Sequence, residues 1–392
     1  MKLEIKYVLQ AAMVAVLFLG LSGGASAATL SKEFHFEADS RIVVENLVGS
    51  VRVRPADGAV AMVKATVVAE SEALAEAVKF EMSNKGSVQQ LQVIYPEDER
   101  NIVYDALNKG SRSNVRYRGK KYKISGSDSR GSVALHVDLE VFLPAGSRVD
   151  NLKNRVGEVD LSKVAADIRV DVGNGPIVSV DGKGKLEVDT GSGRVNVSSH
   201  EGPVDVDTGS GAVEIMNVLG NVNVDTGSGG VKVTGVSGNA TVDTGSGGVE
   251  FAEVIGDKIS ADTGSGSVKG RDLRGSFSAD TGSGSVKVDG IDDSDSIEID
   301  TGSGSIRLKG DFTGLRSLNL DTGSGDVNMQ MLAAPSMTVR IEVSSGDIDV
   351  NVPDQKATKV SRHRLETVFG DGSGRGVIGT GSGDVDIRMV KN

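Results

Sequence analysis

The chain has no cysteine and no tryptophan, and only seven prolines and four histidines, in 392 residues. Without cysteine there is no disulfide, no thiolate metal site, no cysteine nucleophile and no acylated-cysteine membrane anchor. The histidines, His35, His136, His200 and His363, are far apart, so no zinc-binding spacing arises and no metal or cofactor is indicated. Few prolines exclude a collagen repeat. A formal net charge of −11 argues against broad nucleic-acid binding. Aromatic residues make up only 4%. What the chain does have is glycine, 52 residues of it, and an apolar fraction of 38% dominated by valine and alanine. Glycine and valine are both poor helix formers. Ample apolar content with charges of both signs argues against disorder. A β-rich protein with many tight turns is the expected class.

The N-terminus predicts export. Lys2 and Lys6 precede an apolar run from Val8 to Leu21, and Ala25-Ser26-Ala27 forms a small-residue cleavage site. Residues 1–27 therefore read as a signal peptide cleaved after Ala27; the Ala-Ser-Ala site favours this over an uncleaved anchor. No later segment is long and apolar enough to span a membrane as a helix. The expected location is extracytoplasmic, periplasmic or at the cell surface.

The string Asp-Thr-Gly-Ser-Gly occurs eight times, starting at Asp189, Asp207, Asp225, Asp243, Asp262, Asp280, Asp300 and Asp321, at steps of 18 to 21 residues. Degenerate copies flank it at Asp171, Glu342 and Gly379. Apolar residues keep phase with the motif. They stand three and one residues before the Asp (Val204, Val206) and six, eight and eleven after it (Val213, Ile215, Val218). Spacing by two on both sides of a turn is strand alternation. One unit buries too little to fold alone, whereas stacked units share a continuous core. The prediction is an all-β parallel β-solenoid of about a dozen coils, right-handed by the general hand of parallel crossovers, some 60 Å long at roughly 4.8 Å per coil. The Asp residues are expected at a structural turn. There the glycines supply positive φ and the carboxylate accepts turn N–H groups.

The same motif raises two other readings. Asp-Thr-Gly-Ser carries the catalytic carboxylate of aspartic proteases, but that chemistry needs two such loops sharing a proton across a cleft. Eight copies at coil spacing predict a ladder with no pair singled out. Calcium-roll repeats have a Gly-Gly-x-Gly-x-Asp phase that is missing here. Stacked carboxylates would still repel by roughly 3.5 kcal/mol at an effective dielectric of 20, and by under about 1 kcal/mol in bulk water. Turn donors, raised pKa values or weakly held cations must offset this.

Residues 28–150 read as an N-terminal β-rich segment and residues 151–392 as the solenoid. Residues 34–53 already resemble a coil, Ala59–Ala69, Leu91–Tyr95 and Val133–Leu143 read as strands, and Ser71–Lys79 as one short helix. The stretch 97–132 departs in composition. Lys109, Arg112, Arg116, Arg118, Lys120, Lys121 and Lys123 occur with no acid among them, interleaved with Tyr104, Tyr117 and Tyr122. This basic insertion reads either as a solvated loop balancing an acidic body or as an arm for an anionic partner. Tyr117 and the seven cations are the candidate binding residues. A second insertion, 353–376, is expected to cap the open end of the stack.

At this point the chain resembles the bacterial adhesin-like β-strand-repeat family known as domain of unknown function 4097. The resemblance rests on Val44-Glu45-Asn46-Leu47-Val48-Gly49-Ser50-Val51-Arg52-Val53, on Val141-Phe142-Leu143-Pro144-Ala145-Gly146 and on the Thr-Gly-Ser-Gly units that end at Gly379-Thr380-Gly381-Ser382-Gly383-Asp384-Val385-Asp386-Ile387. It spans roughly residues 34–390 and excludes the basic insertion. It implies an exported parallel β-solenoid, and it supplies no catalytic residues.

The functional expectation is a non-enzymatic, adhesin-like binding or scaffolding protein of the cell envelope. Its possible partners are an envelope glycan, an anionic lipid or a surface protein. Two other classes stand beside it: an envelope-stress accessory that binds a partner through the basic insertion, and a polysaccharide-acting β-helix enzyme. The enzyme class needs a carboxylate set in a groove lined by long loops. Here the long loops lie toward the two ends and the middle coils are nearly bare.

Overall fold

The computed structural model describes residues 16–17, 28–127 and 131–391. The predicted export signal therefore lies outside the described residues, apart from Val16 and Leu17. The chain is all-β, 66% strand and 2% helix, and its parallel sheet does not close on itself. It forms two compact units, Met1–Gly193 and Arg194–Asn392. Residues on both sides of position 150 share the first unit.

In the first unit, Arg41–Val48 and Val51–Pro55 form one coil around Gly49-Ser50. They pair in parallel with Ser147–Val156 and Val159–Ser162, which pair in turn with Ala166–Asn174 and Ile177–Val180. On its other side the first coil pairs with Val88–Ile94 and Val133–Leu143. Later sequence thus lies on both sides of it. Antiparallel strands then end the stack. Met62–Ala69 lies on Val133–Leu143, Ala28–His35 on Met62–Ala69, and Lys79–Lys85 on Val88–Ile94. The predicted helix is Glu72–Ala77, where the Ser71 hydroxyl caps the Leu74 N–H at 3.3 Å.

The second unit is the regular one. One ladder runs Val204–Thr208, Val222–Thr226, Ala240–Thr244 and onward to Ser317–Thr322. The other runs from Val195–Glu201 through Val213–Leu219 and Val231–Ser237 to Val327–Ala333. The residues expected inside are inside: Val204, Val206, Val213, Ile215, Val218 and their repeats are buried. In the last repeat, Met331 fills the slot expected for Leu332.

At the C-terminal end the order of the coils departs from the sequence. The copy at Glu342 was expected as the step after Asp321. Instead Gly374–Thr380 intercalates between Ser317–Thr322 and Met337–Val343, so Asp321 faces Gly379, and Gly379 faces Glu342. Val385–Met389 likewise lies between Val327–Ala333 and Ile348–Asn351. The insertion 353–376 is what permits this. It folds as the hairpin Lys356–Ser361 and Arg364–Phe369, antiparallel on the outermost strand Met337–Val343.

Candidate anion-binding face

Each repeat motif sits at a corner, but its parts act differently from expectation. Asp is the last outward residue of its strand, and Thr, one residue on, turns inward and is buried. The Thr hydroxyl makes the turn. Thr263 Oγ1 accepts the Gly266 N–H at 2.9 Å and donates to the Gly247 carbonyl of the preceding coil at 3.0 Å. The pattern recurs at Thr244, Thr281, Thr301, Thr322 and Thr380, with distances of 2.8–3.3 Å. At these corners the turn N–H is therefore taken by a buried Thr hydroxyl, where the Asp carboxylate was expected.

The glycines are also needed for another reason. None of those in the motif has positive φ. They are glycine because coils approach closely there: a Cβ on Gly247 would lie 1.9 Å from the Gly229 carbonyl oxygen, and one on Gly266 would lie 1.8 Å from that of Gly247. Positive φ belongs to the other corners. It falls at Gly220 and Gly238, and at a column of Ser199, Asn217, Glu253 and Asp272 with φ of 53–55°.

Register stacks the carboxylates of Asp207, Asp225, Asp243, Asp262, Asp280, Asp300 and Asp321 in one exposed column. Partial desolvation first, and then the like charges on either side, hold Asp262 and Asp300 above the usual carboxylate range. Asp189, in the first unit, stands opposite Asp171. No two of these carboxylates meet across a cleft, and among the described residues no three His, Asp or Glu side chains form a metal-holding group.

The basic insertion is a folded element. Arg112–Tyr117 and Lys120–Ser125 form an antiparallel hairpin, and Lys120–Ser125 also pairs in parallel with Asn101–Val103. Arg118 and Gly119 occupy the tip with φ of 48° and 77°, the two positive values of a type I′ turn. Strand alternation then sorts the side chains. Ser113, Tyr117, Tyr122 and Ile124 face inward and are buried, while Arg112, Asn114, Arg116 and Lys121 face out.

Tyr117, expected among the binding residues, is a buried anchor. Its hydroxyl donates to the Val93 carbonyl at 2.7 Å and lies 3.1 Å from that of Glu45. Its ring meets Tyr95 edge-on at 6.3 Å. Burial pushes both phenols far above their ordinary range. Tyr104 packs against His136 at 5.1 Å, and burial, with help from Asp138 and Glu158, pushes its phenol up to about 12. The tyrosines hold the hairpin down and offer no stacking surface.

Two of the seven cations are neutralised: Lys120 by Glu97, and Arg118 by Glu81 at 3.7 Å. Lys109 sits in the preceding turn. Among the described residues no carboxylate lies within ion-pairing distance of Lys109, Arg112, Arg116, Lys121 or Lys123. Three of these converge. Arg116 stands directly opposite Lys121, and Lys123 stands between Asn114 and Asn101. With Arg100 they line a shallow cleft of about 400 Å³ floored by Val115 and Tyr122. Like charges directly opposite across two strands are destabilising unless an anion joins them. Arg100, Asn101 and Asn114 were not singled out in the sequence. The alternation of Asn114 and Arg116 with Ser113 and Tyr117 was the available signal.

Coils stacked in parallel through an open sheet define a β-solenoid-like repeat protein. Residues 87–312 and 308–388 match the family described as Toastrack DUF4097, and the chain belongs to that family. No curated protein matches it. A crystal structure of a candidate cell adhesion protein from Clostridium sporogenes ATCC 15579 is 10% identical and covers 92% of this chain and 100% of its own, at a TM-score of 0.16. A likeness of that size carries no argument about this chain.

Proposed function

We propose that the protein is an exported, non-enzymatic, adhesin-like binding protein of the cell envelope, and that its hairpin face takes an anionic envelope glycan. The observation that carries this reading is the cross-strand pair of Arg116 and Lys121, beside Lys123, with no carboxylate within ion-pairing distance among the described residues. A phosphate or carboxylate group fits between them, and the Asn101 and Asn114 amides suit the neighbouring sugar hydroxyls. Three long cations held on a paired sheet keep their spacing better than they would on a loose arm. Export rests on Lys2, Lys6, the Val8–Leu21 run and Ala25-Ser26-Ala27.

The test is binding of the mature chain, residues 28–392, to lipopolysaccharide, to a neutral glycan and to anionic phospholipid vesicles. The reading expects saturable binding to the first, none to the second, and a loss of at least tenfold in Arg116→Gln/Lys121→Gln/Lys123→Gln. Equal binding by the triple variant, or preference for the vesicles, overturns it. N-terminal sequencing of the processed chain should start at Ala28.

A further inference from the structure

Within the second unit, Arg194–Asn392, the coils from Val268 to Asp311 present opposite charge on the two ladders; one coil earlier, Glu250 stands opposite Lys269 and the basic row ends. On the ladder that ends at the Thr-Gly corner, the outward residues of four successive coils are the exposed Asp262, Asp280, Asp300 and Asp321, with Glu298 beside them; Lys258, at the start of its strand, is the one cation on this stretch among the described residues. On the ladder that follows the corner, the same stretch of coils sets Lys269 against Lys287, Lys287 against Arg307, and Lys309 against Asp289. Asp289 is taken up by Lys287 at 2.8 Å. Arg271, next to this group, is held by Glu253 and Asp272. Lys269, Arg307 and Lys309 have no acid partner among the described residues.

Each row is spaced by the same strand pairing, so both repeat at about 4.8 Å. Carboxylates and cations carried at one pitch can be matched several at a time by a single sliding register, which unrelated surfaces achieve only by accident. We propose that the acidic face of one copy docks on the basic face of a second copy of this chain. The two faces differ, so the contact is heterologous and propagates into an open lateral array rather than closing as a dimer. It is also salt-sensitive, because the pairs lie at the surface and the screening length falls to about 8 Å at physiological ionic strength.

Sedimentation velocity of the mature chain over a range of concentrations decides this. In 20 mM salt the weight-average mass should rise with concentration, and in 0.5 M salt it should return to the monomer value. Two charge-reversed variants sharpen the test, Lys269→Glu/Arg307→Glu/Lys309→Glu and Asp262→Lys/Asp280→Lys/Asp300→Lys. Each alone should stay monomeric, and an equimolar mixture should associate. The neutral set Lys269→Gln/Arg307→Gln/Lys309→Gln, which leaves less repulsion in the fold, should also stay monomeric; circular dichroism confirms that each variant is folded. A wild-type chain that stays monomeric in low salt, or association that survives the neutral set, overturns the proposal. The hairpin residues of the glycan test are untouched, so the two results are independent.

Discussion

The two units hold their carboxylates in opposite ways. In the irregular first unit, half-buried acids such as Asp138 and Asp160 have partners. Asp160 receives a two-pronged pair from Arg54 at 2.6 and 3.1 Å and a bond from the Ser162 hydroxyl. Asp138 receives the Ser50 N–H at 2.7 Å and its hydroxyl at 2.8 Å, with His136 close by. Burial raises both, but these donors outweigh it and hold each below the usual range. In the regular second unit the repeat places Asp beside Asp, and the shift goes the other way. A translational repeat multiplies whatever it carries, like charge included, whereas an irregular coil can supply a complement at each position. The second unit is stabilised instead through features that are self-complementary: valine on valine, Thr hydroxyl to Gly carbonyl, and backbone against backbone.

This contrast can be broken most forcibly at the close approach of two coils. Gly247→Ala places a methyl 1.9 Å from the Gly229 carbonyl oxygen and should cost upwards of about 3 kcal/mol in denaturant unfolding. Gly248→Ala, next in sequence, meets nothing closer than 3.5 Å and should stay within about 0.5 kcal/mol. Next in size is Thr263→Val, which leaves the Gly266 N–H and the Gly247 carbonyl without partners, at about 1–3 kcal/mol for each buried group. Its counterpart in the first unit, Tyr117→Phe, removes one donor and should cost about 1–2 kcal/mol.

The pH response should differ in sign. Asp160 has a folded pKa below its unfolded value near 3.8, so its stabilisation is present above that value and is lost as pH falls through the folded pKa. Asp262 and Asp300 have folded pKa values above 3.8, so their penalty is present at neutral pH and is relieved as pH falls through the raised values. Melting curves between pH 7 and pH 4 should show Asp262→Asn/Asp300→Asn more stable than wild type at pH 7 and converging with it in acid. Asp160→Asn should be less stable at pH 7. The smallest effect is expected at the hairpin face. Arg116→Gln/Lys121→Gln/Lys123→Gln should leave the unfolding midpoint unchanged or slightly raised, because it removes a like-charge pair. A clear loss of stability there would mean that the cations serve the fold.

The coils were legible in the sequence because their signal is local and repeated. Val204, Val206, Val213 and Ile215 alternate within a few residues, and the core follows directly. Thr208 was in principle readable as inward, two residues after Val206, but the eye goes to the charged residue before it. The reason for the corner glycines was not readable, since a clash between Gly247 and Gly229 exists only once the coils are stacked. The order of coils at the two ends has no local signal at all: nothing in Gly374–Thr380 says which neighbour it will choose. At the candidate site, the cations were visible as composition, while Tyr117, expected among the binding residues, is buried. Seven basic residues hid an alternation that the Arg118-Gly119 turn would have organised into a hairpin.

The intercalated strand has a consequence for how the molecule is made. Ser317–Thr322 finds Ser296–Thr301 on one side as soon as it is made, but neither it nor Met337–Val343 completes its pairing until Gly374–Thr380 has been synthesised and delivered between them. Assembly at this end is therefore not vectorial. The segment from Gly374 to Met389 acts as a closing wedge, and a chain halted shortly before it is left with two unpaired strand edges.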